Sequence, residues 1–341
     1  MKRTVSVSIV ACGILVVATV TSLVVGSRSK GKAKPAVQRT YRVGVLSGLD
    51  FFAPTLDGFK TGLADLGYIE GTNISYDVQK TNFDIAAYDG ILRKFVADKV
   101  DLIFVFPTEA TQEAKTITQG TGIPVVFTNA FTEDTNIVAN IREPGGNITG
   151  VRWPGPDLAL QRFETLHEMV PHASRMWIPY QKGYPIVKSQ LEALRPAFAA
   201  AGMTLMEIPA SNTTELGAEL QQQAKSFNKD TDAILLIAEP LLTVPDNFAV
   251  LGAFADEHNI PIGGTMESVQ GHETLFGIIP QNVPQGKQAA FLADKIFKGI
   301  PAGTLPVVSA ESYLQVNYKA AQKAGITVPQ DLLNRANEII R

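Results

Sequence analysis

The sequence predicts an α/β protein built as two doubly wound lobes with a ligand cleft between them. Three observations lead there. Residues 100–106 and 123–129 are continuous apolar runs that bracket a helix-length segment, the pattern of a βαβ unit whose strands are buried on both faces. Strand and helix alternate again in a second half of similar size, joined to the first near Gly150. The strands end in small polar residues such as Thr108 and Asn129, at the sheet edge where open α/β folds take ligands. The same alternation could close an eight-stranded barrel, but two similar halves favour two Rossmann-like lobes.

The elements follow in order. Residues 41–46 read as the first strand and 54–66 as the first helix, ended by Gly67. Residues 73–78 alternate and read as a strand; 88–99 read as a helix with Ile91, Leu92, Phe95 and Val96 on one face. The βαβ unit comes next. Past Val151, helices are predicted over 161–169, 185–201, 215–227 and 247–258, with Pro171 and Gly202 as stops. Strands are predicted over 174–180, 204–208, 233–237 and 260–262. No short tandem repeat and no low-complexity stretch interrupts the body.

Charge narrows the partners. Residues 1–39 hold seven of the 30 basic residues and no acid, so the remainder carries 23 basic and 33 acidic residues, a net of −10. An acidic body argues against nucleic acid, which needs a basic face. Val5 to Val25 is free of charge and as a helix would span roughly 31 Å, enough for a bilayer core. A cleaved signal peptide and an uncleaved anchor over residues 1–26 both fit; the length of the run and the lack of an Ala-x-Ala site favour the anchor. Residues 27–40 form a basic linker with Pro35. The single cysteine, Cys12, follows Ile9-Val10-Ala11, loosely like a lipoprotein box, but the apolar run continues past it and favours a plain membrane-helix residue. The body therefore has no disulfide, no thiolate nucleophile and no cysteine metal site.

Four strings resemble a known family. These are residues 100–151, closing on Pro144-Gly145-Gly146-Asn147-Ile148-Thr149-Gly150-Val151; the first-helix string Leu56-Asp57-Gly58-Phe59-Lys60-Thr61-Gly62-Leu63; Asn317-Tyr318-Lys319-Ala320-Ala321; and Gly325-Ile326-Thr327-Val328-Pro329. In order and spacing, from Tyr41 to the end, they resemble substrate-binding proteins of ABC transporters, of the branch associated with tryptophan and tyrosine uptake. The resemblance implies a type I periplasmic binding protein-like fold in which the chain crosses between lobes three times, near Gly150, near Gly277 and after Val308. One lobe would hold residues 41–150 and 278–307, including a helix over 285–297. The other would hold 151–277 and 308–341, ending in a helix over 330–340. It also implies an extracytoplasmic, monomeric protein that closes like a hinge on a small molecule and delivers it to an ABC permease, with no cofactor and no catalysis.

The residues weaken a catalytic reading. His167, His172, His258 and His272 lack metal-ligand spacing, and there is neither a Gly-x-Ser-x-Gly elbow nor a phosphate loop. Binding has more support. An amino-acid carboxylate suits N–H groups and hydroxyls at a helix N-terminus. Thr108 is placed to cap the helix after strand 100–106, and Thr111 to point into the cleft. Ser47, Gly48 and Asn129 end strands at the same edge. An ammonium needs an acid, for which Glu239 and Glu267 are candidates, the latter just past Thr265. Phe51, Phe52, Phe131, Tyr180 and Tyr184 lie past strand ends and could stack on an aromatic side chain. Residues 180–185 stand where similar proteins carry an asparagine-rich loop. Residues 277–280 stand where many carry an acid and tyrosines. The ligand class thus extends from aromatic amino acids to other small zwitterionic or apolar molecules. A membrane-tethered ligand-sensing module shares the fold and is the second reading. An enzyme or a repressor fits less well, since residues 1–40 read as a membrane segment and not as a helix-turn-helix.

Overall fold

The structure, a computed structural model, describes residues 39–341; the expected anchor, its linker and Cys12 fall outside them, apart from the last two linker residues. The first half runs β1 (Tyr41–Ser47), α1 (Pro54–Asp65), β2 (Ile74–Lys80), α2 (Tyr88–Ala97), β3 (Leu102–Phe106), α3 (Thr108–Thr118), β4 (Val125–Ala130) and β5 (Ile148–Arg152). The second half begins with α4 (Gly155–Met169), β6 (Arg175–Gln181), α5 (Pro185–Ala200), β7 (Thr204–Ala210), α6 (Thr213–Gln223), β8 (Asp232–Leu235), α7 (Pro245–His258) and β9 (Ile262–Gly263). A small hairpin, β10 (Ser268–Val269) and β11 (His272–Glu273), leads to β12 (Phe276–Pro280). Then come α8 (Asn282–Phe297), β13 (Val308–Ser309), β14 (Ser312–Asn317), α9 (Tyr318–Lys323), α10 (Gln330–Arg335) and β15 (Glu338–Ile340).

Two parallel sheets organise these elements. The first has the order β13-β5-β4-β3-β1-β2 and the second the order β7-β6-β8-β9. A bridge between Gly264 and Gly277 carries the second sheet on to β12, β14 and β15. In both, the strand order reverses beside the first strand of the half, at β1/β3 and at β6/β8. That reversal splays the following loops apart and leaves a crevice at the C-terminal strand ends.

Buried side chains on both faces explain the continuous apolar runs. Val43 and Val45 face a core shared with α1 and α8, while Leu46 faces one shared with α2 and α3. Phe59 of α1 stacks on Phe104 of β3 at 4.0 Å. Glycine decides where α8 lies. A Cβ on Gly58 would come within 2.0 Å of the Val283 carbonyl, and one on Gly286 within 2.0 Å of the Thr55 carbonyl. With hydrogen at both positions the two helices meet backbone to backbone. So α8, which follows strands of the second sheet, packs on the first.

Sheet membership moves three expected boundaries. Val151 and Arg152 belong to the first sheet, where they pair with Val308 and Ser309 of β13. Ile278–Pro280 belong to the second, pairing with β14. The predicted C-terminal helix is cut short at Arg335, because Glu338, Ile339 and Ile340 pair with β14 in parallel. Two adjacent β-branched residues favour that strand. Helix α4 starts at Gly155, six residues before its predicted start at 161, since Pro156 suits a first turn.

Candidate functional site

Three loops of the first half converge at the C-terminal strand ends. After β1 come Gly48 and a short 3-10 turn, Asp50–Phe52. A Cβ on Gly48 would lie 2.7 Å from the Tyr88 hydroxyl and 2.8 Å from the Phe106 carbonyl, so only glycine lets these strand ends close together. After β3 the chain enters α3. Its N-cap is Pro107, which offers no side-chain cap, so the first-turn N–H groups stay open. After β4 the ladder with β5 shifts register between Phe127 and Ala130, and Asn129 adopts φ +49°. Asparagine tolerates this left-handed conformation, and such bulges re-aim side chains. Asn129 donates to Thr55 Oγ1 at 2.8 Å, while its Oδ1 and the buried Ser47 hydroxyl have no partner among the described residues.

Thr108 and Thr111 act differently from expectation. The Thr108 hydroxyl does not cap α3; it accepts from the Phe131 N–H at 3.1 Å and so holds the β4 exit. Thr111 is fully buried and donates to the Pro107 carbonyl at 2.7 Å. The aromatic groups gather more closely. Phe52 meets Trp153 edge-on at 6.1 Å, and Phe131 stacks on Trp153 at 6.1 Å. Phe51 is exposed and touches Phe52 at 5.1 Å. Phe131 and Trp153 are buried in the core of the second half, against which Phe52 and Tyr184 also pack.

In the second half, Glu239 builds the crevice instead of waiting in it. Its carboxylate accepts from Gln181 N–H at 3.0 Å, Leu241 N–H at 2.7 Å and Leu242 N–H at 2.7 Å. The first of these joins the ends of β6 and β8 across the switch point. Buried Gln190 clamps the same turn, exchanging bonds of 2.7 and 3.0 Å with the Ala238 carbonyl and N–H. Burial raises the Glu239 carboxyl above the usual range, and the three backbone N–H groups oppose the shift.

Glu267 is the complement. Burial, then the charge of Glu239, pushes its carboxyl up to about 7. Its backbone is fixed by Thr274, whose N–H donates to the Glu267 carbonyl at 3.0 Å, but among the described residues no group bonds its carboxylate. Thr265, half-buried, stands two residues before it. Tyr184, at the N-cap of α5, has its phenol pushed up to about 12 by burial, then by the charges of Glu109 and Glu239. The charge of Glu109, in the first turn of α3, thus acts on the Tyr184 phenol at the start of α5. Tyr180 lies apart, since its hydroxyl donates to Glu207 at 2.8 Å on the outer surface.

Glu109 and Trp153 were missed by sequence reading. Glu109 resembles an ordinary first-turn acid stabilised by the helix dipole; its place at the β3 switch point was the available signal. Trp153 sits in what reads as a connecting turn. A separate concavity of about 430 Å³ lies on the flank of the second half, lined by Gln161, Glu164, Ile278 and Arg335 among others. It lacks both the uncapped helix end and the aromatic groups. No cluster of His, Cys, Asp and Glu among the described residues could hold a metal.

Comparison with known proteins gives the family and the fold. A curated relative, a tyrosine-binding protein of Clostridioides difficile, is 27% identical over 267 residues, covering 76% of this chain and 73% of its own. The fold matches the ABC domain from Streptococcus pneumonia solved in complex with L-Trp, at TM-score 0.71 and 22% identity over 88% of this chain and all of that one. It also matches the ligand-free, open structure of a substrate binding protein with adhesive properties from Clostridium difficile, at TM-score 0.73 and 21% identity over 89% and 99%. The ABC transporter substrate binding protein model matches residues 46–340, and the chain belongs to that family of extracytoplasmic proteins, which bind a small molecule and work with an ABC permease.

Proposed function

We propose that the ligand is an amino acid with an aromatic side chain, held at three points. Its carboxylate meets the open N–H groups of α3, where the helix dipole adds attraction. Its ammonium pairs with Glu267. Its ring lies among Phe52, Trp153 and Tyr184. The observation that carries the reading is Glu267: a half-buried carboxylate without a partner, beside a second acid, is a poor arrangement unless a cation arrives. The tyrosine-binding relative and the L-Trp complex support the aromatic class.

Binding then acts by closure. A ligand touching α3 on one lobe and Glu267 on the other stabilises the closed form, which the permease reads. The lobes divide as the sheets do, residues 41–152 with 282–309 against 155–280 with 311–341. The protein works as a monomer, and the apolar segment from Val5 to Val25 tethers it to the membrane, raising its effective concentration at the permease. Thermal unfolding against the common amino acids tests the ligand class. Tyrosine, tryptophan or phenylalanine at ~100 times its Kd should stabilise by about 2.7 kcal/mol. Stabilisation by an aliphatic or acidic amino acid alone would remove the aromatic assignment. Separate fractionation of cells locates the chain: membrane retention supports the tether, and a soluble mature form lacking residues 1–26 overturns it.

A further inference from the structure

Arg152 joins more segments than any strand-end residue needs to. It is the last residue of β5, three positions before α4 begins, and it pairs with Ser309, the last residue of β13. These are the points where two of the three connections leave for the second lobe. The Arg152 carbonyl accepts from Ala310 N–H at 2.9 Å. Its side chain is 11% exposed and every arm of its guanidinium is used. Nε donates to Ser309 Oγ at 3.0 Å, Nη1 to Glu133, and Nη2 to Asp157 Oδ2 at 2.8 Å. Glu133 belongs to the loop after β4, on the first lobe; Asp157 lies in the first turn of α4, on the second.

We propose that Arg152 is the pivot of lobe closure, a positioning residue that sets the hinge axis through Asp157. Three features support this. A planar guanidinium held on two sides by Glu133 and Ser309 has little freedom left, so its third arm points in a fixed direction. Asp157 receives that arm from a helix N-terminus, where a carboxylate is already favoured. It stands only five residues from Arg152, close to any axis through the crossing, so rotation of the lobe moves it little and the pair survives closure. The neighbouring contacts lie farther out and differ in kind. Lys188 of α5 approaches Asp134 at 3.9 Å with both side chains exposed, a contact of small energy that rotation can break.

The proposal rests on hinge closure, and its test keeps the two apart. Spin labels at exposed Thr61 of α1 and Ala199 of α5 report the distance between lobes. They are placed in the full chain with Cys12→Ser, leaving no other thiol. L-Tyrosine and L-tryptophan serve as probes. A ligand-induced shortening in the parent chain tests closure. Asp157→Asn removes only the charge that holds the second-lobe arm, and Arg152 keeps Glu133 and Ser309. The expected result is a broader distance distribution in Asp157→Asn with or without probe, a Kd raised about 3- to 10-fold, and recovery of both in Asp157→Glu. Glu207→Gln, which breaks the exposed Arg195 pair, should change neither. An Asp157→Asn distribution as narrow as the parent's, or a lowered Tm with unchanged width and Kd, overturns the pivot. Failure of both probes to bind leaves the ligand-free width as its test.

Discussion

Asp232 and Glu267 are both acids of the second lobe, one at the N-terminal ends of its strands and one past the C-terminal ends. Asp232 is fully buried and fully answered. Arg175 grips it with Nε at 2.7 Å and Nη2 at 2.8 Å, and Asn228 N–H adds a third bond at 2.8 Å. Glu267 is half-buried and unanswered, with Glu239 nearby to make matters worse. The same sheet therefore spends its polar groups in opposite ways at its two ends. At the closed end the buried carboxylate meets a donor at each oxygen and the result is rigidity. At the cleft end a charge is left for something else to satisfy, which is how a binding site is built into a stable fold.

Four substitutions sharpen or break that contrast. Asp232→Ala strands Arg175 and the Asn228 N–H, and should cost about 2–4 kcal/mol in denaturant unfolding, discounted for the partial exposure of Arg175. Its ligand Kd should stay that of the parent. Glu239→Ala leaves three N–H groups without their acceptor and should cost about 1–3 kcal/mol. Unlike Asp232→Ala it should also abolish ligand binding, because the crevice loses its shape.

Glu267→Gln should behave oppositely. A carboxyl raised to about 7 from the ordinary range near 4.5 favours the folded state most below pH 4.5, and that contribution is lost as pH rises through 7. The neutral amide should make the ligand-free protein more stable at pH 8, by about 1–2 kcal/mol after allowing for solvent, and leave it unchanged at pH 4.5. Equal stability of the two proteins at both pH values would show that Glu267 is not strained. Tyr180→Phe has the smallest expected effect, within about 0.5 kcal/mol and with no change in Kd, because it removes only an exposed bond to Glu207. A large loss of affinity there would return Tyr180 to the ligand site.

The parallel sheets and switch points were legible because buried strands leave continuous apolar runs such as residues 100–106, and helices leave periodicity. The position of the candidate residues was legible: Ser47, Gly48, Phe52, Asn129, Tyr184 and Glu267 all lie at or just past strand ends, and their part in binding rests on the proposal above. What each does was not. A sequence shows that Glu239 and Glu267 are acids in loops; it does not show that one accepts three backbone N–H groups and the other none. Thr108 and Thr111 have the right chemistry for a ligand, but local backbone partners took their hydroxyls first. Strands β12, β14 and β15 went unread. The pairings that define them join residues 276–280 to 312–316, and 315–317 to 338–340, too distant in the chain for any local pattern.

The central claim is that Glu267 holds the ligand's ammonium, and calorimetric titration across pH tests it most directly. L-Tyrosine and L-tryptophan would be titrated into the parent chain and Glu267→Gln between pH 5.5 and 8. In the parent, affinity should fall about tenfold for each unit below 7 as Glu267 takes up a proton, and binding at pH 7 should release about half a proton. Glu267→Gln should bind more weakly, with a Kd independent of pH and no proton released. A parent Kd that does not change with pH, or a Glu267→Gln protein that binds as tightly as the parent at pH 8, would contradict the account.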